Sequence, residues 1–240
     1  LTREVLGAAE PWSIRADALI LRGRVIKEED PRAASEAWER AYGLAVEHDA
    51  SVLAADAAWH LALRRAGEKN TEAAEAWERR RNAEIARTEN WSGPSQDQLR
   101  CMVLEHSARY ERAQPWCERA FAAMSGDASS SQRRQVGTAL TNVYERMGQG
   151  EAALEIGLQL YEAPLRQLGS SHPYTGGALM NLGNAYARLG QYRESADCAA
   201  RARVVFARAY GENNRWAISA AMNQASQYQS QGNLKQADTL

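Results

Sequence analysis

Asn181, Asn184 and Arg188 are spaced i, i+3, i+7, so a helix would carry them on one face. A shift of 42 residues towards the N-terminus places Asn142 and Arg146 at the positions of Asn184 and Arg188, and the same shift towards the C-terminus places Asn223 at the position of Asn181. An asparagine amide donates and accepts hydrogen bonds at once, as a peptide backbone does. An arginine can fork onto a carboxylate. Asn142, Arg146, Asn181, Asn184, Arg188 and Asn223 are therefore candidate peptide-binding residues, and an acidic side chain or a C-terminal carboxylate is a partner for Arg146 or Arg188. The other reading of the same letters is an exposed or hairpin-stabilising asparagine ladder.

Other chemistries find no support in the sequence. There is no glycine-rich phosphate loop, no His-Glu-x-x-His pair and no nucleophile elbow. His48, His60, His106 and His172 are scattered, and no Cys-x-x-Cys occurs, so no metal, cofactor or catalytic residue is expected. Arg79, Arg80 and Arg81 would point about 100° apart on a helix. Glu72, Glu75, Glu78 and Glu84 surround them, which reads as a solvated face. With a net charge of −1, no nucleic-acid partner is expected. No apolar run approaches the roughly 18 residues of a membrane span, so no membrane partner is expected either. Three widely spaced cysteines, Cys101, Cys117 and Cys198, argue against a disulfide framework and for a reducing, cytoplasmic setting.

The elements that must hold the six residues repeat with them. The 42-residue shift also aligns Gly148, Gly190 and Gly232, each placed just after a helical apolar stripe. These glycines, with Gly67, are expected at turns inside helical hairpins, and Ala108 stands in the same slot. Glu36-Ala37-Trp38-Glu39-Arg40 recurs as Glu75-Ala76-Trp77-Glu78-Arg79, 39 residues on, and Pro115 to Arg119 echoes it. A fixed period of this length signals a helical repeat array. The first helix is expected to bury Ile14, Ala18, Leu21 and Val25. Later helices bury Leu182, Ala185, Tyr186 and Leu189 against the small Ser195, Ala199 and Ala202, with Gly183 allowing close approach. The methionines and tryptophans are read as core. Residues 1–10 read as the tail of a helix or a linker, and 125–131 as the softest linker in the chain.

The residues His172-Pro173, Leu179-Met180-Asn181-Leu182-Gly183, Tyr186, Gly190-Gln191-Tyr192 and Glu194-Ser195 resemble the tetratricopeptide repeat (TPR), in its 42-residue kinesin-light-chain variety. Met180, Gly183 and Ser195 depart from that pattern. The resemblance implies an all-α fold, a right-handed α-α superhelix of about six helical hairpins. It would form a single solenoid over 1–240, with degenerate repeats in 11–125 and kinesin-light-chain-like repeats in 129–240, the last incomplete. It implies a protein or peptide partner held in a concave groove lined by the first helices of successive hairpins. There the asparagines would clamp the ligand backbone. In the first three hairpins Leu61, Met102 and His106 would line a less polar stretch. The resemblance also implies a host: a bacterial signalling protein in which such repeats follow a serine/threonine kinase domain. Both chain ends read as cut. An arginine-to-lysine ratio of 26 to 3 fits the codon usage of a GC-rich bacterial genome. The rival reading is a solenoid scaffold for an enzyme or a nucleic-acid-binding regulator.

Overall fold

The computed structural model describes residues 11–88, 91–124 and 131–239. The N-terminal segment 1–10 and most of the serine-rich linker lie outside the described residues. Twelve α-helices and no strand occur among the described residues: α1 (Trp12–Ile26), α2 (Pro31–Glu47), α3 (Ser51–Gly67), α4 (Thr71–Ile85), α5 (Gln96–His106), α6 (Tyr110–Ala123), α7 (Ser131–Arg146), α8 (Gly150–Leu168), α9 (Pro173–Arg188), α10 (Tyr192–Tyr210), α11 (Arg215–Ser230) and α12 (Leu234–Ala237). They fall into two compact units, Leu1–Arg109 and Tyr110–Leu240. In the first, α1 to α4 pack pairwise in chain order, and α5 packs on α3 and α4. In the second, α6 to α12 pack pairwise in chain order, with α7 also touching α9.

The turns explain the pairing. Lys69, Ala108, Gly148, Gly190 and Gly232 all have positive φ, between 58° and 75°. Each sits in the same pair of backbone bonds. At Gly190, its N–H donates to the Ala187 carbonyl and the next N–H, of Gln191, donates to the Tyr186 carbonyl. This left-handed closure satisfies helix-end carbonyls that would otherwise be orphaned. The residue after it opens the next helix. Asn70 and Asn233 do so with side-chain caps, accepting from the backbone of Ala73 and Gln236. Gly67 is not the turn residue: it is the last residue of α3, and the left-handed position falls to Lys69.

The connections into α9 and α11 use a different device. His172 and Asn214 accept from the N–H two residues on, Tyr174 and Trp216, and Pro173 fills the first helical position of α9. At the start of α5, Ser95 and Gln98 form a reciprocal capping box.

The core is built from small residues against a few large ones. In the second unit Leu179, Leu182, Cys198, Ala202, Phe206, Ala217 and Ala220 form one cluster. In the first unit α1 departs from expectation. It buries Ala16, Leu19, Ile20 and Gly23, while Ile14, Leu21 and Val25 are exposed. The cause is Trp38, whose indole lies over Gly23 so closely that a β-carbon there would meet the ring nitrogen at 2.4 Å. That nitrogen donates to the Ile20 carbonyl, which fixes which face of α1 turns inward. Reading every Met and Trp as core also needs correction, because Trp216 and Met222 are exposed on α11.

The three consecutive arginines separate as well. Arg79 and Arg80 are exposed, but Arg81 is fully buried. Its guanidinium lies 5.4 Å from the Trp59 ring and 5.2 Å from the Trp91 ring, and it donates to the Pro94 carbonyl. It therefore pins the connection before α5 and is no part of a solvated face.

Candidate functional site

The candidate residues lie on α7, α9 and α11, all in the second unit. On α7 the buried row is Val136, Gly137, Leu140 and Val143, so Asn142 and Arg146 turn out to solvent. On α9 Leu179, Leu182 and Gly183 are buried against α10, so Asn184 and Arg188 turn out. Asn181 and Asn223, at equivalent positions of α9 and α11, are half-buried.

Three contacts tie the α7 and α9 faces together. The Arg134 guanidinium stacks 4.2 Å from the Tyr174 ring. The Asn181 amide donates to the Thr138 hydroxyl at 3.3 Å. Arg188 Nε lies 3.9 Å from Glu145 Oε2. Glu145 is largely buried, and burial raises its carboxyl above the usual range, opposed by the charges of Arg188 and Arg146. Arg188 thus reaches this carboxylate from α9, and Arg146 follows it in sequence on α7 as an exposed cation. Asn142 and Asn184 lie one helical turn before Arg146 and Arg188 on their helices, and Asn223 is carried by α11.

Thr138, Glu145 and Tyr174 were not among the sequence candidates. The signal that could have found the first two is a spacing of 43: Thr138 to Asn181 and Glu145 to Arg188 are each one residue beyond the repeat. That offset is the diagonal on which side chains of successive first helices meet.

In the first unit the expected groove residues are Leu61, Met102 and His106. Leu61 is fully buried, so it lines no groove, which corrects the expectation. Met102 is half-buried, and the His106 ring sits 2.8 Å from Glu105, whose hydrogen bond raises its pKa. The open depression of about 490 Å³ between α2 and α3 is lined by charge already paired within it. Arg32 meets Glu36 at 3.1 Å, Arg64 meets Glu68 at 3.0 Å, and Arg65 meets Glu39 at 3.0 Å.

Among the described residues no group of histidine, cysteine and carboxylate side chains is placed to hold a metal ion, and no helix is long and apolar enough to cross a membrane. Cys198 is a free thiol, and burial pushes its pKa up to about 11.

No protein-family model matches the sequence, and no curated protein matches it. Solved structures do. BtubC (BKLC) from P. vanneervenii superposes with a TM-score of 0.64 at 17% identity, covering 97% of this chain and 88% of its own. A putative kinesin light chain of Podosopora anserina, with nearly identical TPR-like repeats, gives 0.64 at 20% identity, covering 76% of this chain and 89% of its own. A Rap protein complexed with Competence and Sporulation Factor gives 0.68 at 13% identity, covering 99% of this chain and 66% of its own. At these identities the likeness is one of fold: the chain has the all-α, TPR-like helical-repeat solenoid fold.

Proposed function

We propose that the chain is a protein-interaction scaffold that holds an extended peptide across the first helices of its second unit. The observation that carries this reading is the α7–α9 face. Asn142, Arg146, Asn184 and Arg188 are all exposed there, Arg188 lies 3.9 Å from Glu145, and the two helices are joined by the Thr138–Asn181 hydrogen bond. A peptide lying across α7 and α9 exchanges water for amide partners at roughly 0.5–1.5 kcal/mol net per bond. An acidic side chain of the peptide pairs with Arg146 or Arg188. The fold likeness to a Rap protein complexed with Competence and Sporulation Factor is consistent with such a role. The finer reading is a non-catalytic, regulatory part of a larger cytoplasmic signalling protein of bacterial origin, with the kinase domain elsewhere in that chain.

The test is a capture experiment with the whole chain, followed by peptide mapping of what it retains. The double change Asn184→Ala with Arg188→Ala should weaken the mapped peptide by at least about tenfold. The helical circular-dichroism signal should not change. Undiminished binding would move the contact surface off this face.

A further inference from the structure

We infer that Glu145 sets the ligand specificity of the α7–α9 face by occupying Arg188 as an internal stand-in for a ligand carboxylate. The inference rests on the peptide-binding reading above and goes one step further, to the charge the face selects.

The geometry is asymmetric. Glu145 has 12% of its side chain exposed, whereas Arg188 has 60%. The acid is therefore set into the wall between the helices, and the base is the reachable, adjustable partner. At 3.9 Å the pair is at the outer limit of an ion pair, so Arg188 can turn to a second carboxylate without breaking a short hydrogen bond. Arg146, the next residue on α7, adds a second exposed cation to the face. Together the three groups carry a single net positive charge. That is enough to admit an acidic side chain and too little to attract a polyanion strongly. A peptide carboxylate must compete with a tethered one for the same guanidinium donors, so Glu145 lowers affinity and makes occupancy depend on how well the rest of the peptide fits. Burial raises the cost of keeping this carboxylate charged, and the two arginines offset it.

The probes are an end-blocked octapeptide alternating alanine with aspartate and its alanine–asparagine counterpart, titrated by fluorescence anisotropy. Glu145→Gln keeps the shape and removes the charge. It should bind the aspartate peptide at least about tenfold tighter than wild type, with the asparagine peptide unchanged. Arg188→Gln added to Glu145→Gln should remove most of the gain. Equal affinity of wild type and Glu145→Gln for the aspartate peptide would overturn the inference and leave the peptide-binding reading standing. An equal gain for both peptides would also overturn it, since the effect would then not be one of charge. Saturable binding of neither peptide to any of the proteins would defeat the reading itself. A melting curve for Glu145→Gln matching wild type excludes a folding artefact. Should that variant melt early, Glu145→Thr replaces it with the same expected order of affinities.

Discussion

Gly183 and Cys198 face one another across the α9–α10 hairpin, and a β-carbon on Gly183 would lie 3.2 Å from the cysteine β-carbon and 3.4 Å from the Ser195 carbonyl oxygen. The second contact is with backbone, which cannot turn aside. Gly183→Leu should therefore destabilise by roughly 1–3 kcal/mol through overpacking. Urea unfolding checks this, and a midpoint equal to wild type would mean that the helices separate there at no cost.

The left-handed turn residues differ in what they tolerate. Ala108 holds φ at 58° with a β-carbon, while Gly148 holds 72° without one. Ala108→Gly should stabilise by about 0.5 kcal/mol, and Gly148→Ala should destabilise by about 1 kcal/mol, since the left-handed region penalises a β-carbon. Thermal melts of both variants test this. Shifts of the same sign would show that another force sets these turns.

Arg81 is a cation held without exposure between two indoles. Truncation to alanine removes the pin on Pro94 and opens a void, at a cost of roughly 2–4 kcal/mol. Trp91 should lose its packing at the same time, and tryptophan emission should shift to the red before global unfolding. Emission and melting curves unchanged in Arg81→Ala would show that the connection before α5 is held by other contacts.

His60 stacks on Trp38 at 5.0 Å, and its pKa is lowered from 6.5 to about 4, chiefly by burial and then by the charges of Arg24 and Lys27. Its folded-state value lies below the unfolded one, so its contribution is intact above pH 6.5 and is lost as pH falls towards 4. The full loss is about 3 kcal/mol. Asp56, 3.7 Å away, has its carboxyl raised by burial, which works in the opposite sense at the acid end of that window. His60→Phe should flatten the stability–pH curve between those limits. Parallel curves for variant and wild type would exclude His60 as the cause of acid sensitivity.

The repeat was legible because turns and caps are local. Gly148, Gly190 and Gly232 occupy the left-handed positions their spacing marks, and Ala108 fills the slot without the usual letter. Gly67 misled for the same local reason: a glycine near a helix end looks like a stop, yet the closure forms two residues later at Lys69. The face of α1 was not legible. Ile14, Leu21 and Val25 are the bulkier apolar row, but Gly23 gives Trp38 room, and absence of bulk decides the packing. At the site, the asparagine and arginine positions stood out by repetition. Glu145 and Thr138 did not, because their partners are one residue out of phase with the repeat and belong to a neighbouring helix.

The turns recur at intervals of 39, 40, 42 and 42 residues and close through main-chain bonds alone. Only a left-handed residue and a following helix opener are required of the side chains. A joint so undemanding lets a whole hairpin be copied, dropped or exchanged at the level of the gene without leaving a torn seam. The binding letters on its first helix are then free to drift while the phase of the array stays fixed.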